Sequence, residues 1–205
     1  MISKFALAMA NHFAEKDVYG RDKINVYKYG FELLISSVFN VLGILLISLI
    51  MHTVIGAMFF CVAFIPLRLA AGGYHAKHHW SCILGFTVIF FGFAYLHRNM
   101  NMEYALHYSL ATVIVSSALI WAFAPVATPN KPLKDEHKKR QRDRSVIIAC
   151  TNLAITLLFY IIDSFNELSP LLAFYNSGAF IASLSLAAAV LVDKKRADES
   201  IQNNR

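Results

Sequence analysis

Residues 31–51 read FELLISSVFNVLGILLISLIM: one acidic side chain, Glu32, then nineteen positions without a charge. A helix that crosses the hydrocarbon core of a bilayer needs roughly 20 mainly apolar residues. Nothing in the stretch alternates with a period of two, so it does not read as a barrel strand. In lipid the backbone must satisfy its own hydrogen bonds, and a helix does so within one segment. Five further runs of the same kind follow: Val54–Ala71, Cys82–Leu96, Tyr104–Pro125, Val146–Ile162 and Pro170–Val192. The third is short and lengthens if Trp80 and Ser81 join it.

Composition agrees with this reading. The 205 residues are 57% hydrophobic and 16% charged, where soluble domains carry about 25% charged residues. The expectation is an all-α polytopic membrane protein with about six transmembrane helices, forming one domain over residues 1–205. No separate soluble domain fits in the remainder. Residues 1–29 are expected as an N-terminal amphipathic segment, because Phe5, Ala8, Met9, His12 and Phe13 recur at helical spacing. Such a helix lies on the membrane surface. Charges break up Met1–Asn25, which lacks the layout of a cleavable signal peptide. Residues 126–145 are expected as a basic cytoplasmic loop.

Of the 19 lysines and arginines, all but Arg98 fall before the first run, around the connection between the second and third, between the fourth and fifth, or after the sixth. Lys and Arg collect on the cytoplasmic side of short loops. Both termini and the segment between residues 68 and 82 are therefore expected in the cytoplasm, with the chain in a cell membrane. Positive-inside anchoring accounts for the net charge of +6, so nucleic-acid binding is not implied. The dense run Lys134–Arg144 has two readings: attraction to anionic lipid, or a docking surface for an acidic peptide that includes Lys131, Lys138, Lys139 and Arg140.

Three cysteines occur, at 61, 82 and 150, without the spacing of a zinc site or a thioredoxin-like pair. Neither a metal nor another cofactor is expected. Cys61 and Cys150 lie within apolar runs and read as packing residues. Cys82 alone has polar company, in Arg68-Leu-Ala-Ala-Gly-Gly-Tyr-His-Ala-Lys-His-His-Trp-Ser-Cys82. At the start of a helix its thiolate would meet unsatisfied amides and a positive dipole end. An adjacent imidazole could take its proton. His78 and His79 precede it by four and three residues and would neighbour it on a continuous helix. His75 precedes it by seven, about 10.5 Å of helical rise, and reaches it only if the backbone folds back. Pro66 and Gly72-Gly73 make such a break plausible. Spacing alone leaves all three histidines open, and it leaves open a passive Cys82. Arg68 is a candidate for orienting a carboxylate or stabilising the irregular loop; its bland alternative is a snorkelling anchor.

The pattern Arg68-x-x-Ala71-Gly72-Gly73-x-His75-Ala76 followed by Cys82 resembles the AgrB family of quorum-sensing membrane endopeptidases of bacteria. Pro129-Asn130-Lys131-Pro132, the basic stretch through Arg144, the length and the arrangement of spans resemble it too. The resemblance implies that His75 and Cys82 form a catalytic pair. It implies a cysteine endopeptidase that cuts the C-terminal tail from an AgrD-like propeptide, holds the peptide as a thioester on Cys82, and promotes its cyclisation to a thiolactone or lactone. It also implies a homodimer, for which the small residues of Ser177–Ala189 could permit close helix packing. Two other classes are compatible with the residues: a peptide transporter, and a non-catalytic scaffold that binds an acidic partner. Few ionisable groups lie deep in the spans, which weakens the transporter reading. Asn40 is deep and is expected to hydrogen-bond between helices.

Overall fold

The computed structural model of the chain describes residues 2–16, 24–73, 79–126, 135–162 and 168–203. Seven helices are found among them: α1 (Ile2–Lys16), α2 (Ile24–Met51), α3 (Val54–Ala71), α4 (His79–Arg98), α5 (Met102–Phe123), α6 (Asp135–Ile161) and α7 (Ser169–Asn203). Six of these, α2 to α7, are long and apolar enough to cross a membrane. The described residues contain no strand. The all-α architecture is the expected one.

The helix ends differ from the apolar runs in a systematic way. α3 coincides with its run, and α4 takes in Trp80 and Ser81. α2 starts seven residues before its run, which places Lys28 one turn ahead of Glu32 in an ion pair of 3.9 Å. α6 starts at Asp135, so the stretch 135–145 expected as loop is helical and the connection before it is shorter. α7 continues through Lys194 and Lys195 to Asn203. Hydropathy marks where lipid ends, whereas a helix ends where its backbone hydrogen bonds do. At ~1.5 Å per residue the 35 residues of α7 measure about 52 Å, well beyond a hydrocarbon core of about 30 Å. Pro66, expected to bend or break the second span, lies within α3, which runs on to Ala71. Its exposed ring faces away from the bundle, where a missing hydrogen bond disturbs no packing.

α7 is the hub. Half of its most apolar window is buried within the chain, against 17% for α2. It packs along α3 and α5; α6 closes against α5 and α3, while α2 and α4 pair with each other at the side. The two cores follow from this. Ala63, Leu67, Ile120, Ala182 and Leu186 meet in one, and Ile44, Phe60, Phe90, Phe174 and Ile181 in the other. Small residues let backbones approach: a Cβ at Gly178 would overlap the Phe60 carbonyl, and one at Gly56 would lie 2.5 Å from the Phe174 ring. The buried positions of the small stripe Ser177–Ala189 are thus packed within the chain against α3 and α5.

The α2–α3 turn is tight. His52 adopts the left-handed conformation at φ 55°. Thr53 N donates to Ser48 O at 2.8 Å and His52 N to Leu49 O at 3.3 Å, the paired bonds of a Schellman cap. Arg98, at the end of α4, donates to Met51 O at 3.2 Å, setting a cation on the negative end of α2. Antiparallel succession then puts the ends of α3 and α5 and the starts of α4 and α6 at the opposite, basic end.

α1 packs on α2 with Ala6, Ala10 and Ala14 buried. Phe5 and Phe13 of the expected apolar face stay exposed, Phe13 meeting Phe31 in a tilted ring contact with centroids 5.3 Å apart. The helix is thus apolar on both sides: alanines for the protein, phenylalanines for lipid. Two smaller expectations fail. Asn40 Oδ1 is buried without a hydrogen-bond partner among the described residues. Cys150 is exposed rather than packed, while Cys61 packs beside the second core.

Replacing Gly178 by Ala should lower the thermal midpoint in detergent by an amount equivalent to ~1–3 kcal/mol of overpacking, since the Phe60 backbone cannot move aside. Gly85→Ala, where a Cβ meets nothing within 4 Å, should leave the midpoint unchanged.

Candidate functional site at the α3–α4 connection

α3 ends because glycine takes over. Gly72 has φ 80° and ψ −150°, a region essentially reserved for glycine. Gly73 follows at φ 140°. Two carbonyl groups freed by the end of the helix are met by specific partners. Val126 N donates to Ala71 O at 3.1 Å. Arg68 Nη1 donates to Gly72 O at 2.9 Å and also to Ser185 Oγ of α7 at 2.6 Å. The guanidinium fills the space that a Cβ on Gly73 would occupy. Arg68 therefore turns inward, part-buried, and joins the loop to the hub helix rather than extending to the surface. Gly72 lies equally close to the next segment: a Cβ there would come 2.8 Å from Val126 O. The end of α3, the segment after α5 and α7 are thus clasped together at one point.

α4 begins at His79, so no continuous helix runs from α3 into α4. Cys82 is its fourth residue, a half-buried free thiol. The first amide groups of any α-helix lack partners within it and carry the positive end of its dipole. Trp80 braces this turn against α2 through Phe39, with ring centroids 6.0 Å apart. The start of α4 is therefore held from the α2 side.

The predicted site residues distribute as follows. Arg68, Gly72 and Gly73 come together in the clasp. Cys82 stands at the start of the next helix. Lys138, Lys139 and Arg140 are exposed on the first turns of α6. His75, His78 and Lys131 lie outside the described residues. No group of three or more His, Cys, Asp or Glu side chains able to hold a metal occurs among the described residues.

Three participants escape the sequence reading. Ser185 is one serine among many on an apolar helix, and nothing in the sequence marks it as the acceptor for Arg68. Val126 acts through its backbone, which side-chain patterns do not reveal. His97 belongs to a buried cluster at the other end of α4; the apolar run ended at Leu96, one residue short of it. An ionisable residue within a span would have been the signal.

A profile described as accessory gene regulator B matches residues 6–190. The chain belongs to the accessory gene regulator B family. It is similar to AgrB-like protein 2 of Clostridium perfringens, at 24% identity over 187 residues that cover 89% of this chain and 83% of the relative. It is similar to protein FsrB of Enterococcus faecalis, at 28% identity over 63% of this chain and 54% of the relative. Accessory gene regulator protein B of Staphylococcus haemolyticus is 26% identical over 64% of this chain and 69% of its own length. No solved structure matches. Family and spans together make the chain a multi-pass membrane protein of the accessory gene regulator type, the type that acts in quorum sensing.

The clasp is open to a double-mutant cycle. Arg68→Lys and Ser185→Ala should each lower the thermal midpoint, and the pair should show a coupling energy within the range of ~0.5–3 kcal/mol for contacting residues. Gly73→Ala should match Arg68→Lys, because it expels the guanidinium.

Proposed function

We propose that this accessory gene regulator B protein is a cysteine endopeptidase that removes the C-terminal tail of an AgrD-like propeptide and cyclises what remains. The observation that carries the reading is the interrupted helix. α3 stops at Ala71, α4 starts at His79, and Cys82 lies in the first turn of α4. A backbone that leaves the helix between these points is free of the roughly 10.5 Å separation that a continuous helix would impose on positions 75 and 82.

In this mechanism His75 takes the proton of Cys82, and the thiolate attacks the carbonyl carbon of the scissile bond. The C–N bond breaks, and the tail leaves as an amine that receives the proton from His75. The peptide remains as a thioester. Its own internal cysteine or serine then attacks the same carbon, the bond to Cys82 breaks, and the ring closes as a thiolactone or lactone. Holding that nucleophile beside the thioester supplies a high effective concentration. A location at the rim of the bilayer limits water, which would otherwise hydrolyse the thioester. Amides at the start of α4 are the oxyanion donors in this scheme.

Arg68, Gly72 and Gly73 support the site by holding the loop. Lys131, Lys138, Lys139 and Arg140 receive the acidic part of the precursor at the head of α6. Both termini lie in the cytoplasm by the distribution of basic residues.

Cys82→Ala and His75→Ala should each abolish cleavage of a co-expressed AgrD-like propeptide while the protein still inserts into the membrane. His78→Ala and His79→Ala should keep activity. Cleavage that survives Cys82→Ala would end the proposal. Changing Lys138, Lys139 and Arg140 together to Gln should raise KM, with a smaller effect on kcat, and should flatten the dependence of KM on salt.

A further inference from the structure

At the end of α4 remote from Cys82 lies a polar cluster in apolar surroundings. His97, 4% exposed, places Nε2 2.8 Å from Ser177 Oγ of α7. Tyr108 of α5 places its hydroxyl 2.8 Å from the same oxygen. Ser177 gives its single proton to Ala173 O at 2.8 Å. With that proton on Ala173 O, the Ser177 oxygen is an acceptor for both neighbours, the arrangement in which His97 carries its proton on Nε2. The other ring nitrogen, Nδ1, is buried without a partner among the described residues. Aromatic rings enclose it: Phe174 at 4.7 Å, Tyr108 at 5.1 Å and Phe93 at 6.0 Å between centroids.

This arrangement is a poor choice for stability alone. A buried polar atom without a partner is unfavourable, and a phenylalanine would fill the same aromatic nest. What histidine adds is direction. α4 pairs chiefly with α2 at the side of the bundle, and Phe86 and Phe90 rest on Phe60 of α3. Apolar surfaces in lipid have little drive to prefer one register, since lipid is equally apolar. A short hydrogen bond at a fixed ring angle does prefer one. Residues 97 and 82 are fifteen apart on one helix, about 22 Å of rigid rise.

We propose that His97, Ser177 and Tyr108 form a positioning latch that sets the depth and rotation of α4, and with it Cys82, from the opposite side of the membrane. The three are positioning residues, and the inference rests on Cys82 being the nucleophile. The latch ties α4 to α7, the helix whose Ser185 holds Arg68. Both ends of the site are thereby referred to one helix.

The test uses the full-length protein in proteoliposomes with Cys61→Ser and Cys150→Ser, so that N-ethylmaleimide reports on Cys82 alone. Three quantities are followed: thermal midpoint, alkylation rate of Cys82, and cleavage of an AgrD-like propeptide. His97→Phe keeps the packing and removes the hydrogen bond. It should hold or raise the midpoint, change the alkylation rate several-fold, and slow cleavage by up to ~10²-fold, the order expected for a misplacement of about 1 Å. His97→Gln, which retains a donor to Ser177, should restore both rates. Should His97→Phe fail to fold, Ser177→Ala carries the same readouts with the loss of one hydroxyl. An unchanged alkylation rate in the folded variant overturns the latch. So does a His97→Gln protein that behaves like His97→Phe. A shifted alkylation rate with unaltered cleavage supports the latch and instead removes Cys82 from the chemistry.

Discussion

Arg68 holds the point at which the backbone of α3 stops being a helix at the edge of the membrane. Peptide groups released there cannot count on water, and each one left unpaired in hydrocarbon costs several kcal/mol, by an order-of-magnitude reckoning. One guanidinium nitrogen meets the carbonyl of Gly72 and reaches across to Ser185, while Val126 meets the carbonyl of Ala71. The two glycines follow from the same arrangement. Gly72 supplies a backbone conformation closed to other residues, and Gly73 leaves room for the guanidinium.

The opposite end of the bundle is built on a comparable plan. Arg98 donates to the last carbonyl of α2, and the neighbouring His97 bonds into α7. At one end Arg68 turns inward and at the other His97 does, while Arg98 caps α2 from the exposed side. α7 receives a polar contact at each level, through Ser177 and Ser185, while its small residues let α3 and α5 approach. Buried polar contacts and close approach at small residues together give this bundle its register. The exposed phenylalanines of α1 and leucines of α2 have no such constraint and need only be greasy.

The proposed reaction must exclude water from a thioester yet admit a charged peptide, and a site at the rim suits both demands. The exposed basic turns at the head of α6 extend the helix beyond the apolar zone. They form a rigid basic column rather than a pliable loop, so their charges have fixed spacing toward any acidic segment.

Much of the architecture was legible in the order of residues. Six apolar runs implied six crossings because hydrocarbon tolerates few backbone forms, and α3 was readable almost to the residue. Cys82, Arg68 and the glycines stood out because such residues are conspicuous near lipid. Helix ends at α2, α6 and α7 were misread, since charged residues continue a helix as well as apolar ones once water is reached. What the tertiary structure alone decided is which partner each polar group finds. Ser185, the amide of Val126, Ser177 and Tyr108 lie between about 50 and 120 positions from the groups they bind, and pairings at that range depend on how helices are rotated against one another. The small stripe of α7 makes the same point: composition shows that something packs closely there, but only the assembled bundle shows that the occupants are α3 and α5 of the same chain.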